Sequence, residues 1–166
     1  NWLPEADFAP LPANPDAVAT EQVETLLART TGETEDAIRS ELRDMMMDDV
    51  GVVRSAQSLT QAQSKIAELM ERFATIRLMD HSRNFNTELM EVIELGNLLD
   101  CAEATVAGAL ARQESRGGHY RSDFEARDDV NFLRHTLAYR SATPGAPELR
   151  YKPVTITEFQ PKERKY

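Results

Sequence analysis

The sequence predicts a mainly α-helical fold: a three- to four-helix antiparallel bundle, then an arginine-rich loop and a short C-terminal β-hairpin-like tail. Apolar residues recur every three or four positions between residues 16 and 115, which is the period of amphipathic helices. Two adjacent glycines, Gly117 and Gly118, interrupt this pattern. Beyond them, aromatic and β-branched residues flank a Pro144-Gly145 turn signal, as in a pair of short strands.

The domain is expected to have three parts. Residues 1–15 contain four prolines and are predicted to form an extended arm or linker. Residues 16–115 form the helical bundle, and residues 116–166 form the loop, the short strands and the charged tail of the same domain. The chain does not begin with Met, and Trp2 and Phe8 are apolar residues in the arm. We therefore expect the arm to lie on another part of a larger protein.

The first two helices are short. The first is predicted to start at an Asn14 cap followed by Pro15 and to reach about residue 29. Its predicted inward residues are Val18, Val23, Leu26 and Leu27. The second is predicted over residues 34–50, where apolar residues recur at helical spacing between acidic ones. Residues 51–57 are expected to be a connector.

The third and fourth helices are the longer pair. The third is predicted to begin at Ser58, with Gln61 placed to complete a capping box, and its apolar seam extends to residue 76. Asn84 or Asn86 is predicted to cap the fourth and longest helix, which reaches about residue 114. Four small residues on it would let a neighbouring helix approach closely: Gly96, Ala102, Ala107 and Gly108. Two short strands are predicted after the loop, over residues 132–140 and 149–159.

Composition narrows the classes of function. The net charge of −9 argues against a nucleic-acid partner, because phosphate binding needs a net basic face. No apolar run approaches the roughly 20 residues of a membrane-spanning helix. Cys101 is the only cysteine, so no internal disulfide can form, and we expect it to be buried as a small apolar residue.

Residues 112–129, here called the arginine loop, are the least generic part of the sequence. Its arginines and acids suggest three kinds of site: a metal centre at His119 and the aspartates, a dicarboxylate clamp of Arg116, Arg121 and Arg127, or internal arginine–aspartate pairs. The arginines would repel a metal ion, and internal pairing requires no ligand, so we favour pairing. The predicted acidic partners are Asp123, Asp128 and Asp129. His119 is expected to be satisfied by a carboxylate.

The chain is predicted to lack a catalytic centre. His119 has no visible nucleophile beside it, and His135, in the sequence of a strand, is expected to be structural. The glycines form neither a GxGxxG fingerprint nor a Walker loop, so no nucleotide cradle is expected. We predict no catalytic, cofactor-binding or metal-binding residue within these 166 residues.

Several segments resemble a known family. These are MMMDDVGVVR, FNTELMEVIELGNLLDCAEATVAGALARQESRGGHYRSDF, RDD, NFLRHTLAY, LRYKPV and PKERKY. Together they resemble the C-terminal domain of the flavoprotein subunit of succinate dehydrogenase and fumarate reductase, from about residue 33 to the end. The block ESRGGHYRSDF is the most specific, and L-aspartate oxidase shares its SRG-H turn.

The resemblance implies a role within a larger enzyme. In that family FAD and the dicarboxylate are held upstream, so residues 1–15 would be the linker from an FAD domain, and this domain alone would be inactive. The parent would oxidise succinate to fumarate and pass electrons through an iron–sulfur subunit to quinone. It would be cytoplasmic, peripheral at the inner face of the cell membrane through partner subunits. The resemblance implies that this domain packs on the FAD domain and the iron–sulfur subunit.

The residues expected at such a contact cluster in and after the arginine loop: Arg116, His119, Arg121, Asp128, Asp129 and His135. Three alternatives remain open. The parent could run as a fumarate reductase, or the chain could be the tail of an L-aspartate oxidase. It could also be an independent helical adaptor whose loop docks an acidic peptide.

Overall fold

The computed structural model describes residues 9–162 and confirms the mainly helical fold. The four helices are α1 (Ala17–Leu27), α2 (Glu35–Asp48), α3 (Ala56–Phe73) and α4 (Thr87–Ala111). The four short strands are β1 (Val53–Arg54), β2 (Tyr120–Arg121), β3 (Arg134–Tyr139) and β4 (Glu148–Pro153). The contacts expected of Trp2 and Phe8, and the end of the charged tail, lie outside the described residues.

The core of the domain lies between α2, α3 and α4. The α3 and α4 helices pack along one another, α2 packs against both, and α1 contacts α4. The side chains that meet there are fully or almost fully buried: Ile38, Leu42, Leu59, Ile66, Leu69, Val92, Leu95, Leu99 and Val106. Burial of this continuous apolar surface stabilises the bundle.

The α1 helix differs from its prediction at both its start and its inner face. Its N-cap is Asp16, so neither Asn14 nor Pro15 occupies the predicted position. Val18 is 82% exposed, whereas Leu26 near the other end is buried. The prediction for Val18 was wrong because α1 packs on the core only through its C-terminal end.

The N-cap of the α3 helix lies three residues before the predicted Ser58. Ser55 is the cap: its hydroxyl accepts a hydrogen bond from the Ser58 backbone N–H, and the Ser58 side chain accepts one from the Ser55 N–H. Ser58 is therefore the second member of the capping box, and Gln61 takes no part in it. The start moves because β1 ends at Arg54 and leaves Ser55 in an extended conformation.

The α4 helix confirms the cap at Asn86, whose side chain accepts from the Leu89 N–H at 2.8 Å. Its end is earlier than predicted, at Ala111 rather than residue 114, because Arg112 adopts an extended conformation. Cys101 is exposed, contrary to prediction, since it lies two positions, or about 200°, from the buried Leu99.

The strands form two small sheets. The β1 and β2 strands pair in parallel within segments predicted as connector and loop, and no local sequence pattern indicates this pairing. The β3 and β4 strands form an antiparallel pair, which confirms the hairpin-like tail, although β4 ends at Pro153 rather than residue 159. The turn at Gly145 is tied to the bundle, because its N–H donates to buried Glu103 and its carbonyl accepts from Gln63.

Candidate functional site

The arginine loop turns sharply directly after α4. Arg116 and His119 exchange backbone hydrogen bonds of 2.8 and 3.0 Å across Gly117 and Gly118. Gly117 has a φ of 60°, a conformation that glycine adopts at little cost. The tight turn predicted at the two glycines is therefore present, and it directs the chain back toward the end of α4.

Arg121 is the buried centre of the loop, with 1% of its surface exposed. Its Nε and Nη2 donate to the two carboxylate oxygens of Asp123 at 2.8 and 2.7 Å. Its Nη1 donates to the carbonyl oxygens of Ala109 and Leu110 at 3.0 and 3.2 Å. A cation at the carboxyl end of a helix satisfies carbonyls that have no partner within the helix, and it complements the helix dipole.

Glu114 is a second buried charge, with a fully buried side chain. Arg116 donates two hydrogen bonds to its carboxylate, at 2.8 and 3.0 Å, and Arg112 and the Asp128 backbone N–H donate to it as well. Burial raises the pKa of the Glu114 carboxyl, but the bonds from Arg116, Asp128 and Arg112 outweigh burial and hold the pKa below its usual range. Glu114 is thus ionised and fixes both arginines.

The aspartates of the loop divide between arginine pairing and backbone pairing. Asp129 binds Arg116 at 2.6 Å and Arg127 at 2.9 Å, which confirms the predicted arginine–aspartate pairing at this position. Asp128 instead accepts from the backbone N–H groups of Val130 and Asn131, and none of the described arginines forms the predicted ion pair with it. The Arg121 guanidinium holds the pKa of Asp123 well below its usual range, and the bond from Arg116 lowers the pKa of Asp129.

His119 has two partners, and neither is the carboxylate that the sequence predicted. Its Nδ1 lies 3.0 Å from Nη1 of Arg54, and its Nε2 lies 3.1 Å from the carbonyl oxygen of Arg112. A guanidinium can only donate, so Nδ1 accepts and Nε2 carries the proton that it donates. Burial lowers the pKa of the His119 imidazole, and the positive charges of Arg54, Arg121 and Arg112 lower it further. The bond to the Arg112 carbonyl raises the pKa but does not outweigh them. His119 is therefore neutral near pH 7.

Five of the six predicted contact residues lie in the arginine loop. The sixth, His135, is exposed on β3 and lines the same surface groove as His119. Arg116, Arg121 and Arg127 each bind an acidic side chain, so these guanidinium groups do not form an open dicarboxylate clamp. Within residues 9–162, no cluster of three or more His, Cys, Asp or Glu side chains could hold a metal ion.

Two important residues of this region were missed by sequence reasoning, Glu114 and Arg54. Glu114 continues the acidic and apolar pattern of a helix, and only its place between Arg112 and Arg116 could have suggested an ion pair. Arg54 reaches His119 through the pairing of β1 with β2, which is only two residues long and has no signature in the sequence.

Comparison with known proteins identifies the family. The family model described as fumarate reductase flavoprotein C-term matches residues 39–166. The chain belongs to this family. It is 43% identical over 151 residues to the fumarate reductase flavoprotein subunit of Haemophilus influenzae, an alignment that covers 91% of this chain and 25% of that protein. It is 39% identical over 127 residues to the succinate dehydrogenase flavoprotein subunit of Coxiella burnetii, covering 76% and 22% of the two chains.

Solved structures of the same family share this fold. A variant of Escherichia coli quinol fumarate reductase superposes with a TM-score of 0.85 at 38% identity, covering 94% of this chain and 27% of that one. The chain therefore spans about a quarter of the length of the relatives it matches. Among the helices that the structure describes, none is both long and apolar enough to cross a membrane.

Proposed function

We propose that this chain is the C-terminal helical domain of an FAD-containing flavoprotein subunit that interconverts succinate and fumarate. The observation that carries the proposal is the family match over residues 39–166, in a fold that follows E. coli quinol fumarate reductase over 94% of the chain. FAD itself is assigned to the remainder of the subunit. The glycines of this chain form no dinucleotide-binding fingerprint, so the cradle for the FAD diphosphate is assigned to the remainder as well.

The direction of the reaction has two candidates. The first is succinate oxidation, which the sequence resemblance predicts, with electrons passing through an iron–sulfur subunit to quinone. The name of the Coxiella burnetii flavoprotein, a succinate dehydrogenase, agrees with this direction. The relatives from Haemophilus influenzae, Mycobacterium tuberculosis and Escherichia coli are named fumarate reductases, which favours the reverse reaction. Comparing the rates of succinate oxidation and fumarate reduction in the complete enzyme, each with a matched quinone or quinol, distinguishes the two.

The proposed role of this domain is to support the FAD domain and the iron–sulfur subunit, with no chemical step of its own. Arg116, Asp128 and Asp129 keep part of their surface exposed, and His135 is exposed, so all four can touch a partner. Arg121 is buried and would act indirectly, by fixing the loop on the end of α4. Half-buried His119 would do the same through Arg54. The assembled enzyme would lie in the cytoplasm at the inner face of the membrane, held there by partner subunits.

The test is Arg116→Gln in the complete subunit, with Arg127→Gln as the matched control. Arg116 joins Glu114 to Asp129, whereas Arg127 binds Asp129 and the Lys162 carbonyl at the surface. We expect Arg116→Gln to lower the flavin content and the recovery of the iron–sulfur subunit, and to leave the succinate dissociation constant of the flavin-loaded fraction unchanged. Normal flavin loading and assembly with a large loss of succinate affinity would contradict the proposed role.

A further inference from the structure

A groove runs between the C-terminal half of α4 and the β3 strand. Thr105 and Gly108 of α4 and Thr136 of β3 line both halves of it, so the two halves are continuous. Apart from its chain neighbours and the backbone of α4 itself, no described atom lies within 4 Å of the position that a Cβ would take at Gly108, so the floor is open. The groove is therefore a trough along one side of β3, rather than a gap closed by side chains.

One end of the groove is strongly basic. Arg54, Arg112 and Arg134 line it, and none of the described Asp or Glu residues lines either half. Within residues 9–162, neither Arg54 nor Arg134 forms an ion pair, and the buried Nε of Arg134 has no hydrogen-bond partner. The Arg134 guanidinium stacks on the Tyr151 ring, with its Cζ 3.6 Å from the ring centroid, which fixes its position. The charge at this end thus favours a carboxylate that the described residues do not supply.

Within residues 9–162, the edge of β3 that faces the groove pairs with no other strand. All six residues of β3 line the trough. Successive side chains of a strand point to opposite faces, so a groove along one face would be lined by every second residue only. The trough therefore runs along the edge of β3. Arg134 lies opposite Pro153, which has no N–H, and the Arg134 N–H instead donates to the carbonyl of Phe132. This pair is therefore not hydrogen-bonded.

Hydrogen-bonded and non-hydrogen-bonded pairs alternate along an antiparallel ladder, so the type of the Arg134 pair determines the type of every other pair of β3. The pairs at Thr136 and Ala138 are of the same type as the pair at Arg134, so their N–H and C=O groups point away from β4. The Arg134 carbonyl shows this direction, because it accepts from Arg112 at the end of α4. Thr136 and Ala138 thus present two donors and two acceptors to the groove.

From these observations we propose that the groove binds an extended, acidic segment of another polypeptide, which adds a strand to the free edge of β3 and places a carboxylate beside Arg134. Main-chain hydrogen bonds to Thr136 and Ala138 would hold the segment, and the arginines would select its charge. This goes beyond the proposed function, because the groove would bind such a segment whether or not the parent carries flavin.

Two other occupants fit the groove less well. A small dicarboxylate would leave the edge of β3 unpaired, and the open trough would bury little of such a ligand. A second copy pairing through its own β3 would bring Arg134 of each copy to the same interface, where like charges repel. Both occupants are distinguishable outcomes of the test.

The test is an NMR titration of the ¹⁵N-labelled 166-residue chain with a peptide of about seven residues that alternates valine and glutamate. The control peptide carries glutamine in place of glutamate. We expect saturable shifts centred on the Thr136 and Ala138 amides, with at least about tenfold weaker binding of the glutamine peptide.

Three variants locate the binding. Arg134→Gln removes the charge, and Ala138→Pro removes an edge N–H. Each is expected to lower the affinity for the glutamate peptide by about tenfold or more. Arg150→Gln, on β4 and paired with Glu148, is the matched control and is expected to leave binding unchanged. Gly108→Leu fills the trough with a side chain that favours the helix. It blocks access to the edge of β3 and therefore replaces Ala138→Pro if that variant does not fold.

Each contrary result overturns the proposal in its own way. Peptide binding that none of Arg134→Gln, Ala138→Pro and Gly108→Leu weakens would place the peptide elsewhere, and no binding at millimolar peptide would remove the site. Succinate alone shifting the same amides with equal affinity would assign the groove to a small anion. Self-association of the chain that Ala138→Pro abolishes would assign the edge to a second copy.

Discussion

The Arg121 guanidinium donates a 3.0 Å hydrogen bond to the main-chain carbonyl of Ala109, and so joins the arginine loop to the carboxyl end of α4. Arg121 is twelve residues further along the chain. The loop thus folds back over the last turn of the helix and supplies a cap that the helix sequence lacks, since its last turn contains no basic residue. Both the end of α4 and the shape of the loop depend on this one side chain.

Arg121→Lys is expected to destabilise the domain by about 3 kcal/mol, because lysine cannot reproduce the planar fork that binds Asp123 and the helix carbonyls together. The measurement is the free energy of unfolding from urea denaturation. Arg127→Lys is the matched control, since Arg127 lies at the surface, and it should change stability by less than about 1 kcal/mol. Equal losses in the two variants would contradict the capping role of Arg121.

His119 predicts a pH dependence of stability. Its folded pKa is below the ordinary value of 6.5, so the unfolded chain binds the proton more readily. The free energy of unfolding should therefore fall as the pH drops from about 7.5 to 5, in a window above the titration of the loop carboxylates. His119→Gln, which keeps a donor for the Arg112 carbonyl, should flatten this slope. An unchanged slope in His119→Gln would rule out His119 as its source.

Asn84 and Asn86 were both predicted as possible caps of α4, so alanine variants of the two test which one is the cap. Asn86 is buried, caps the helix through its side-chain oxygen and donates to the carbonyls of Asp80 and Ser82. Asn86→Ala should cost about 2 kcal/mol, at the upper end for a lost cap, since two further hydrogen bonds are removed. Asn84→Ala, at an exposed position, should be nearly neutral by the same urea measurement. A larger loss at Asn84 would mean that the cap lies there.

Gly96 and Gly108 of α4 should respond to alanine in opposite directions. A Cβ at Gly96 would lie 3.0 Å from the Phe73 ring, so Gly96→Ala should destabilise by about 1 kcal/mol despite the gain in helix propensity. Gly108 faces open space, so Gly108→Ala should stabilise by about 0.5–1 kcal/mol. Thermal unfolding of both variants checks the sign, and a stabilising Gly96→Ala would show that α3 and α4 do not pack closely there.

The helices were predictable because their signals are local. Asn86 precedes a long apolar period and was correctly named as a possible cap. At the start of α3 the signal was ambiguous, since Ser55 and Ser58 can both cap and both belong to the capping box. Cys101 was misplaced because its apolar character, rather than its angular position relative to Leu99, guided the prediction.

The loop was only partly predictable because its contacts join distant residues. The pairing of Arg116 and Arg127 with Asp129 could be anticipated from neighbouring opposite charges. The contact of Arg54 with His119 joins residues 65 positions apart, so no local pattern could indicate it. The same is true of the free β3 edge, which depends on the register of Arg134 against Pro153.

The central claim is that this chain is one domain of a larger flavoprotein subunit. The most direct measurement is the intact mass and the visible spectrum, under denaturing conditions, of the polypeptide encoded by the complete open reading frame. We predict a chain about four times as long as the matched region, with a flavin absorption band that survives denaturation. A colourless product no longer than these residues would contradict the claim and leave the independent adaptor as the better account.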